Sequence, residues 1–408
     1  MTEAKRPSGP LAGVRIIDLT SVVLGPYATQ TLADMGCDVI KVETPEGDIA
    51  RQAGPARSPG MGPLHLNANR NKRSIVLDLK HEAAHAALMR LAAGAHVFVH
   101  SMRPQAMRKL GLTYDDLRRV RPDIIHCSLW GFGSGGPYAE RPAYDDVIQG
   151  LSGLADLAAR RSGGAPELAP AIIADKTTGL MAVGAITAAL YHHARTGEGQ
   201  SVEVPMLETM VSYNLVEHLF GAVFEPPAGA MGYGRALASH RKPHRTADGY
   251  MVVLPYTHRQ WQGFLEAAGL EAKRDEPWTA NANLRSQMAD ELYGMIGAAM
   301  PKHTTAEWTR RLEAADVPSV AVATLEDLLV DPHLAATGFF PTYDHPTEGR
   351  LRTTDVPWRM SATPGEAVRL APPRLGADTR GVLAEAGLTA DEIEALIAGG
   401  AAHAVDPA

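Results

Sequence analysis

Over roughly the first 200 residues the hydrophobic pattern switches repeatedly between short apolar runs and helical spacing, and few architectures accept a chain of that kind. Residues 14–19 read as a buried strand. A tight turn at Val22, Val23, Leu24, Gly25 and Pro26 leads into a helix over 27–35, which Gly36 stops. Residues 38–43 are the next strand, at the spacing of a βαβ unit with neighbouring parallel strands. The theme repeats in a strand at 74–79 with a helix over 81–93, in 95–100 and in 123–129. Strands alternating with helices in this way predict a doubly wound α/β sheet.

The chain is longer than one such unit requires. With 408 residues, 45% hydrophobic and 21% charged, it can bury a large core, and two domains are the default. Residues 225–232 are rich in Pro and Gly and read as a linker. Beyond them a strand, a helix from about His258 and a short strand at 320–323 form a smaller α+β unit over 225–341. The chain turns extended from about Thr342 and ends in short helices over 378–386 and 389–398.

Lys and Arg total 39 against 46 Asp and Glu, a net charge of −7, which argues against a general nucleic-acid or anionic-membrane binder. Residues 1–10 are polar, without an apolar signal core, and no run approaches the ~20 apolar residues of a membrane span, so a cytoplasmic protein is expected. Cys37 and Cys127 are too few for a disulfide framework or a cysteine zinc motif, and no His/Glu spacing suggests a metal.

A carboxylate stands out at the start of the longest helical pattern. After the apolar residues 171–174 comes Asp175, and Leu180, Met181, Val183, Ile186, Leu190 and Tyr191 then recur at helical spacing. This predicts a helix buried on most of its surface, with Asp175 in its first turn, followed by a Gly-punctuated turn at 195–199 and a strand at 201–204. Asp175 is open to two readings. It suits an N-cap; it also suits a weakly hydrated nucleophile that the helix end keeps ionised.

Two other features bear on ligands. Gly131, Gly133 and Gly136 fit a GxGxxG pattern after a strand, but Pro137 and a polar loop stand where a pyrophosphate-binding helix would begin. A loop that closes over a substrate, or a tight turn, suits these glycines better. Basic residues cluster around Arg70 and Lys72, and around Arg103 and Lys109, at sheet-edge loops where a polyphosphate could be held. Arg108 reads as solvated surface.

Residues 11–19, Gly25-Pro26, 38–43 and 69–80 resemble the family III CoA-transferases. So do Ala174-Asp175 with Gly179, residues 197–200 and residues 375–379. The resemblance spans nearly the whole chain. It implies a large Rossmann-like domain, residues 1–215 completed by 342–408, joined to the smaller domain, with two copies interlocked as a homodimer. It places the nucleophilic aspartate at Asp175, the CoA-binding segments at Lys41, Arg70, Lys72, Arg103 and Lys109, and the thioester end beside Val22, Val23 and Leu24. Gly133, Gly135 and Tyr144 join the substrate pocket, and His65 and the 235–240 segment of a partner chain are further candidates. Some members carry Gln at Val23, Asn at Ser101 and Arg at Lys109.

The implied chemistry is CoA transfer between an acyl-CoA thioester and a free carboxylic acid through an aspartyl intermediate, with CoA esters as substrates and no resident cofactor. Similar racemases instead exchange the proton α to the thioester, using a histidine where this chain has Tyr144. A tyrosine, with an ordinary pKa of about 10, is a poor base near neutrality. A non-catalytic CoA-binding protein is the remaining alternative.

Overall fold

The computed structural model describes residues 8–405, so most of the polar N-terminal stretch lies outside the described residues. The chain divides into two units, each described on its own. The first comprises residues up to Ser152, Ala169–Ser212 and Ala335 onward; the second comprises Gly153–Leu168 and Tyr213–Leu334.

The first unit is built on six parallel strands, β1 (Arg15–Leu19), β2 (Asp38–Glu43), β3 (Lys72–Leu77), β4 (Val97–His100), β5 (Ile125–Trp130) and β6 (Ser201–Pro205). Their spatial order is 3-2-1-4-5-6, and the short strand Ala402–His403 adds antiparallel to the free edge of β3. The order reverses between β1 and β4, whose registers pair Leu19 with His100. In a doubly wound sheet the crevice beyond such a reversal is where ligands bind.

Apolar side chains from both the sheet and its helices form the core. Ile17, Ile40, Ile75 and Phe98 pack with Leu88 and Leu91 of α2 (Glu82–Ala93) and with Val382 and Leu383 near the C-terminus. That C-terminal segment is also fastened by polar contacts. The Asn71 side-chain oxygen accepts from the amides of Arg369 (2.6 Å) and Leu370 (2.8 Å), and the Asp378 carboxylate accepts from the Ser74 amide (2.8 Å).

β3 begins two residues before the strand expected at 74–79, because Lys72 lies inside the sheet rather than ahead of it. The long helix is corrected too. As α5 (Ile173–Thr196) it buries only one face, and Leu180, Met181 and Tyr191 are 52%, 52% and 64% exposed. The buried face is made of small residues, Ala174, Thr178, Gly179 and Ala182 among them, which let the helix lie close to α1 (Leu24–Asp34). A Cβ on Gly179 would sit 2.8 Å from the Leu24 carbonyl oxygen.

The second unit holds three antiparallel strands, β7 (His244–Arg245), β8 (Tyr250–Val253) and β9 (Ser319–Ala321), packed with helices His258–Ala267, Ala289–Ala299 and Thr305–Ala314. Trp261, Phe264, Ile296, Trp308 and Leu312 form its core.

Candidate active site

The turn leaving β1 sets the geometry of the site. Val22 has φ +68°, a left-handed conformation that a β-branched residue adopts only under constraint. The constraint comes from below. Asp48 accepts the Val22 amide with both oxygens (3.0 and 3.2 Å) and pairs with Lys41 at 2.9 Å, and the Lys41 ammonium also donates to the Thr20 carbonyl (2.8 Å). Asp18 accepts from the Thr20 amide and hydroxyl and from Thr29, and pairs with Lys72 at 3.2 Å. Lys72 reaches Pro26 O and Asn69 as well.

These buried charges hold one another. Burial alone would raise the Asp18 carboxyl, but Lys72 and Lys41 outweigh it and keep it below the usual range. Burial brings the Lys72 ammonium down to about 8 despite Asp18, whereas for Lys41 the carboxylates of Asp18, Asp48 and Glu43 overcome burial and raise it.

Val23 and Leu24, both 6% exposed, follow the strained residue, and the Leu24 amide is near enough to the Asp175 carboxylate to draw its pKa down. Asp175 is 8% exposed. It is the third residue of α5, behind an N-cap at Ile172 that makes no side-chain capping bond, so Asp175 is not the cap. Its own amide donates to Asp145 Oδ1 (2.9 Å) at the head of α4 (Asp145–Leu151). Asp145 is steadied by Gln149 (2.6 Å), whose side chain also bonds Ala169 N and Ala171 O. Burial, and then the Asp145 charge, push the Asp175 carboxyl up to about 6, against which the Leu24 amide pulls down. A carboxylate of that basicity is ionised at neutral pH yet more nucleophilic than an ordinary aspartate.

On the far side of the Val22 turn, a cleft of about 310 Å³ lies at the carboxyl ends of β1, β2 and β3. Leu19, Ser21, Gly47, Leu79 and Lys80 line it, with Met102 and Leu110 at either end of α3 (Pro104–Leu110). Ser21 N donates to Ser101 Oγ (3.3 Å), joining the loops that follow β1 and β4.

The sequence-predicted residues separate into groups. Val23, Leu24 and Asp175 come together. Arg103 and Lys109 are exposed on and beside α3, and Arg108 pairs with exposed Glu140 at 2.6 Å. Lys41, Arg70 and Lys72 are 0%, 5% and 1% exposed and spend their charge inside the unit. Arg70 pairs with Asp34 (2.7 Å) and bonds Thr353 and the Thr354 carbonyl. The 131–136 loop is pinned by two carboxylates. Gly133 N donates to Glu208 (3.0 Å), the Ser134 amide and hydroxyl bond Glu203 (2.5 and 2.8 Å), and Gly135 faces open space. Tyr144 is 69% exposed. His65 is buried against Pro373 O (3.1 Å) and Asn69, and burial takes its pKa down to about 3. Asp48 and Asp145 were missed. Each serves through an amide distant in sequence, and the sign of Asp145 was its place after Tyr144, where similar racemases carry Asp after their histidine.

Residues 11–379 match the model of CoA-transferase family III. The chain belongs to that family. It is 33% identical to the succinate–glutarate CoA-transferase of Agrobacterium fabrum over 94% of this chain and 98% of the relative. It is 32% identical to the formyl-CoA:oxalate CoA-transferase of Streptomyces avermitilis over 96% of this chain and 98% of the relative. Among solved structures, a CAIB/BAIF family protein from Brucella suis superposes with a TM-score of 0.79 at 29% identity, covering 93% of this chain and 100% of that one. This family III member is therefore an enzyme that handles CoA thioesters.

Proposed function

We propose that the enzyme moves CoA from an acyl-CoA donor to a free, short-chain dicarboxylic acid through a covalent intermediate on Asp175. The observation that carries the reading is the buried Asp175 carboxylate, raised to about 6 and aimed at the Leu24 amide across a strained turn. The acid class is suggested by the relatives named for succinate, glutarate and oxalate.

A carboxylate oxygen of Asp175 attacks the thioester carbonyl carbon, the C–S bond breaks, and CoA leaves as thiolate, giving a mixed anhydride. The thiolate attacks the Asp175 carbonyl, releasing the donor acid and forming an aspartyl-CoA thioester. The acceptor carboxylate then attacks that thioester and the sequence runs in reverse. The Leu24 amide is placed to stabilise the oxygen that gains charge at Asp175. The nucleotide part of CoA occupies the cleft at the carboxyl ends of β1–β3, with Lys80, Arg103 and Lys109 as its cations. Lys41 and Lys72 brace the floor beneath it through Asp48, Asp18 and Thr20, whereas Arg70, bonded to Asp34 and Thr353 at the amino end of β3, lies away from it. Closure of the 131–136 loop, with Tyr144 beside it and its bonds to Glu203 and Glu208 exchanged as it moves, keeps water from the anhydride.

The working form is a homodimer in the cytoplasm. The uncovered face of α5, with Leu180, Met181 and Tyr191, and the exposed Leu325 and Val330 offer apolar surface to a second copy. Among the described residues no helix is long and apolar enough to cross a membrane.

The test is chemical trapping. Incubation with acyl-CoA and then hydroxylamine or borohydride should modify Asp175, as read by peptide mass spectrometry, and Asp175→Asn should lose transfer. Transfer that persists in Asp175→Asn would end this reading.

A further inference from the structure

The second unit contains a cavity of about 120 Å³, bordered by Tyr233, Arg235, Tyr256, Trp261, Arg285 and Tyr293, for which the proposed steps at Asp175 have no use. Its notable feature is two guanidinium groups without an acid. Arg235 Nε donates to the Tyr293 hydroxyl (3.1 Å), and its guanidinium lies 4.6 Å from the centre of the Tyr256 ring. Arg285 Nη1 donates to the carbonyls of Trp278 (3.1 Å) and Thr279 (2.7 Å). Among the described residues neither side chain is paired with a carboxylate, and the two, unlike the exposed Arg161, Arg241 and Arg245, are partly buried and border one cavity.

An arginine held by phenols and ring faces keeps its position without neutralising its charge, so most of its donor fork is left for an outside acceptor. A planar carboxylate matches that fork. Trp261, Ala289 and Leu292 give the same cavity an apolar wall, which inorganic phosphate could not use and a carbon skeleton could.

We propose that this cavity is a binding site for a small organic carboxylate, with the carboxylate on Arg235 and Arg285 and the carbon skeleton against Trp261 and Leu292. The site stands apart from the Asp175 reading and does not depend on it. Its ligand is either the acid that accepts CoA or an acid that is never turned over.

Calorimetric titration of the full-length enzyme, without CoA, tests the site. The probes are glutarate, phenylacetate, phenylacetamide and inorganic phosphate. Glutarate or phenylacetate should bind, phenylacetamide should not, and Arg235→Met should weaken the acid at least tenfold with an unchanged melting temperature. Tyr256→Leu, which removes only the ring beneath Arg235, should weaken it less. A parallel rise in the acid's KM in Arg235→Met would make the ligand the acceptor; an unchanged KM with lost binding would make it a separate effector. Either result supports the site. The proposal is overturned if no acid binds at millimolar concentration, if Arg235→Met binds as well as wild type, or if the amide or phosphate binds as tightly as the acids.

Discussion

Replacing Asp175 by Asn should abolish transfer and, at neutral pH, make the protein more stable. The Asp175 carboxyl ordinarily titrates near 3.8 and in the folded chain near 6. At 1.36 kcal/mol per pH unit, this rise of about two pH units sets roughly 3 kcal/mol against the folded state once the group is ionised. The sign follows from proton binding. The folded state binds this proton more tightly than the unfolded state, so it is favoured at low pH, and that advantage is lost as pH rises from about 3.8 to about 6. Asn never ionises and can still accept the Leu24 amide. The variant should therefore match wild type near pH 3.5, draw ahead between 4 and 6, and level off at up to about 3 kcal/mol above that, or about 3–6 °C in melting temperature for a chain of this size. Thermal melts of both proteins across this range measure it. An Asn variant no more stable at pH 7.5, or a difference that ignores pH, would refute the assignment of a destabilised carboxylate.

Asp145→Asn keeps an acceptor for the Asp175 amide but removes the charge that helps raise Asp175. The acid limb of the pH–rate profile should therefore move below 6, and a limb that stays or rises would count against the pairing. Gly179→Ala drives a methyl into the Leu24 carbonyl; it should cost about 1–3 kcal/mol of stability and lower kcat more than it changes KM, which denaturation and steady-state kinetics can separate. Arg70→Met strands Asp34 and should cost about 3–5 kcal/mol. The pair Arg103→Ala and Lys109→Ala should instead raise KM for CoA esters with little loss of stability; the opposite division, seen in melts and kinetics, would move the nucleotide site.

The parallel sheet was legible because β1, β2, β4 and β5 are apolar runs flanked by turns. Reading failed where charge lies inside. Lys72 looks like a loop cation, and Lys41, though inside a predicted strand, like a cation free to meet a ligand, because a sequence does not show that Asp18 and Asp48 wait beside them. The uncovered face of α5 was hidden by its composition, since an apolar residue has the same letter whether or not something covers it. Residues 153–168 cluster with the second unit although they lie between segments of the first, and nothing in their local pattern marks the crossing. Asp175 was legible as a position and, through the resemblance, as a candidate nucleophile, but not in its surroundings: Leu24 and Asp145 are distant in sequence, and only folding brings the second charge to it.

The strand Ala402–His403, paired to the outer edge of β3, has a consequence for synthesis on the ribosome. The edge of β3 becomes available early, but its partner emerges only after the whole second unit has been made. At about 5–20 residues per second, the first unit waits on the order of 10–40 s after β6 appears before its sheet is closed. During that interval β3 presents an open, apolar edge, the kind of surface to which a chaperone or a neighbouring nascent chain can add a strand.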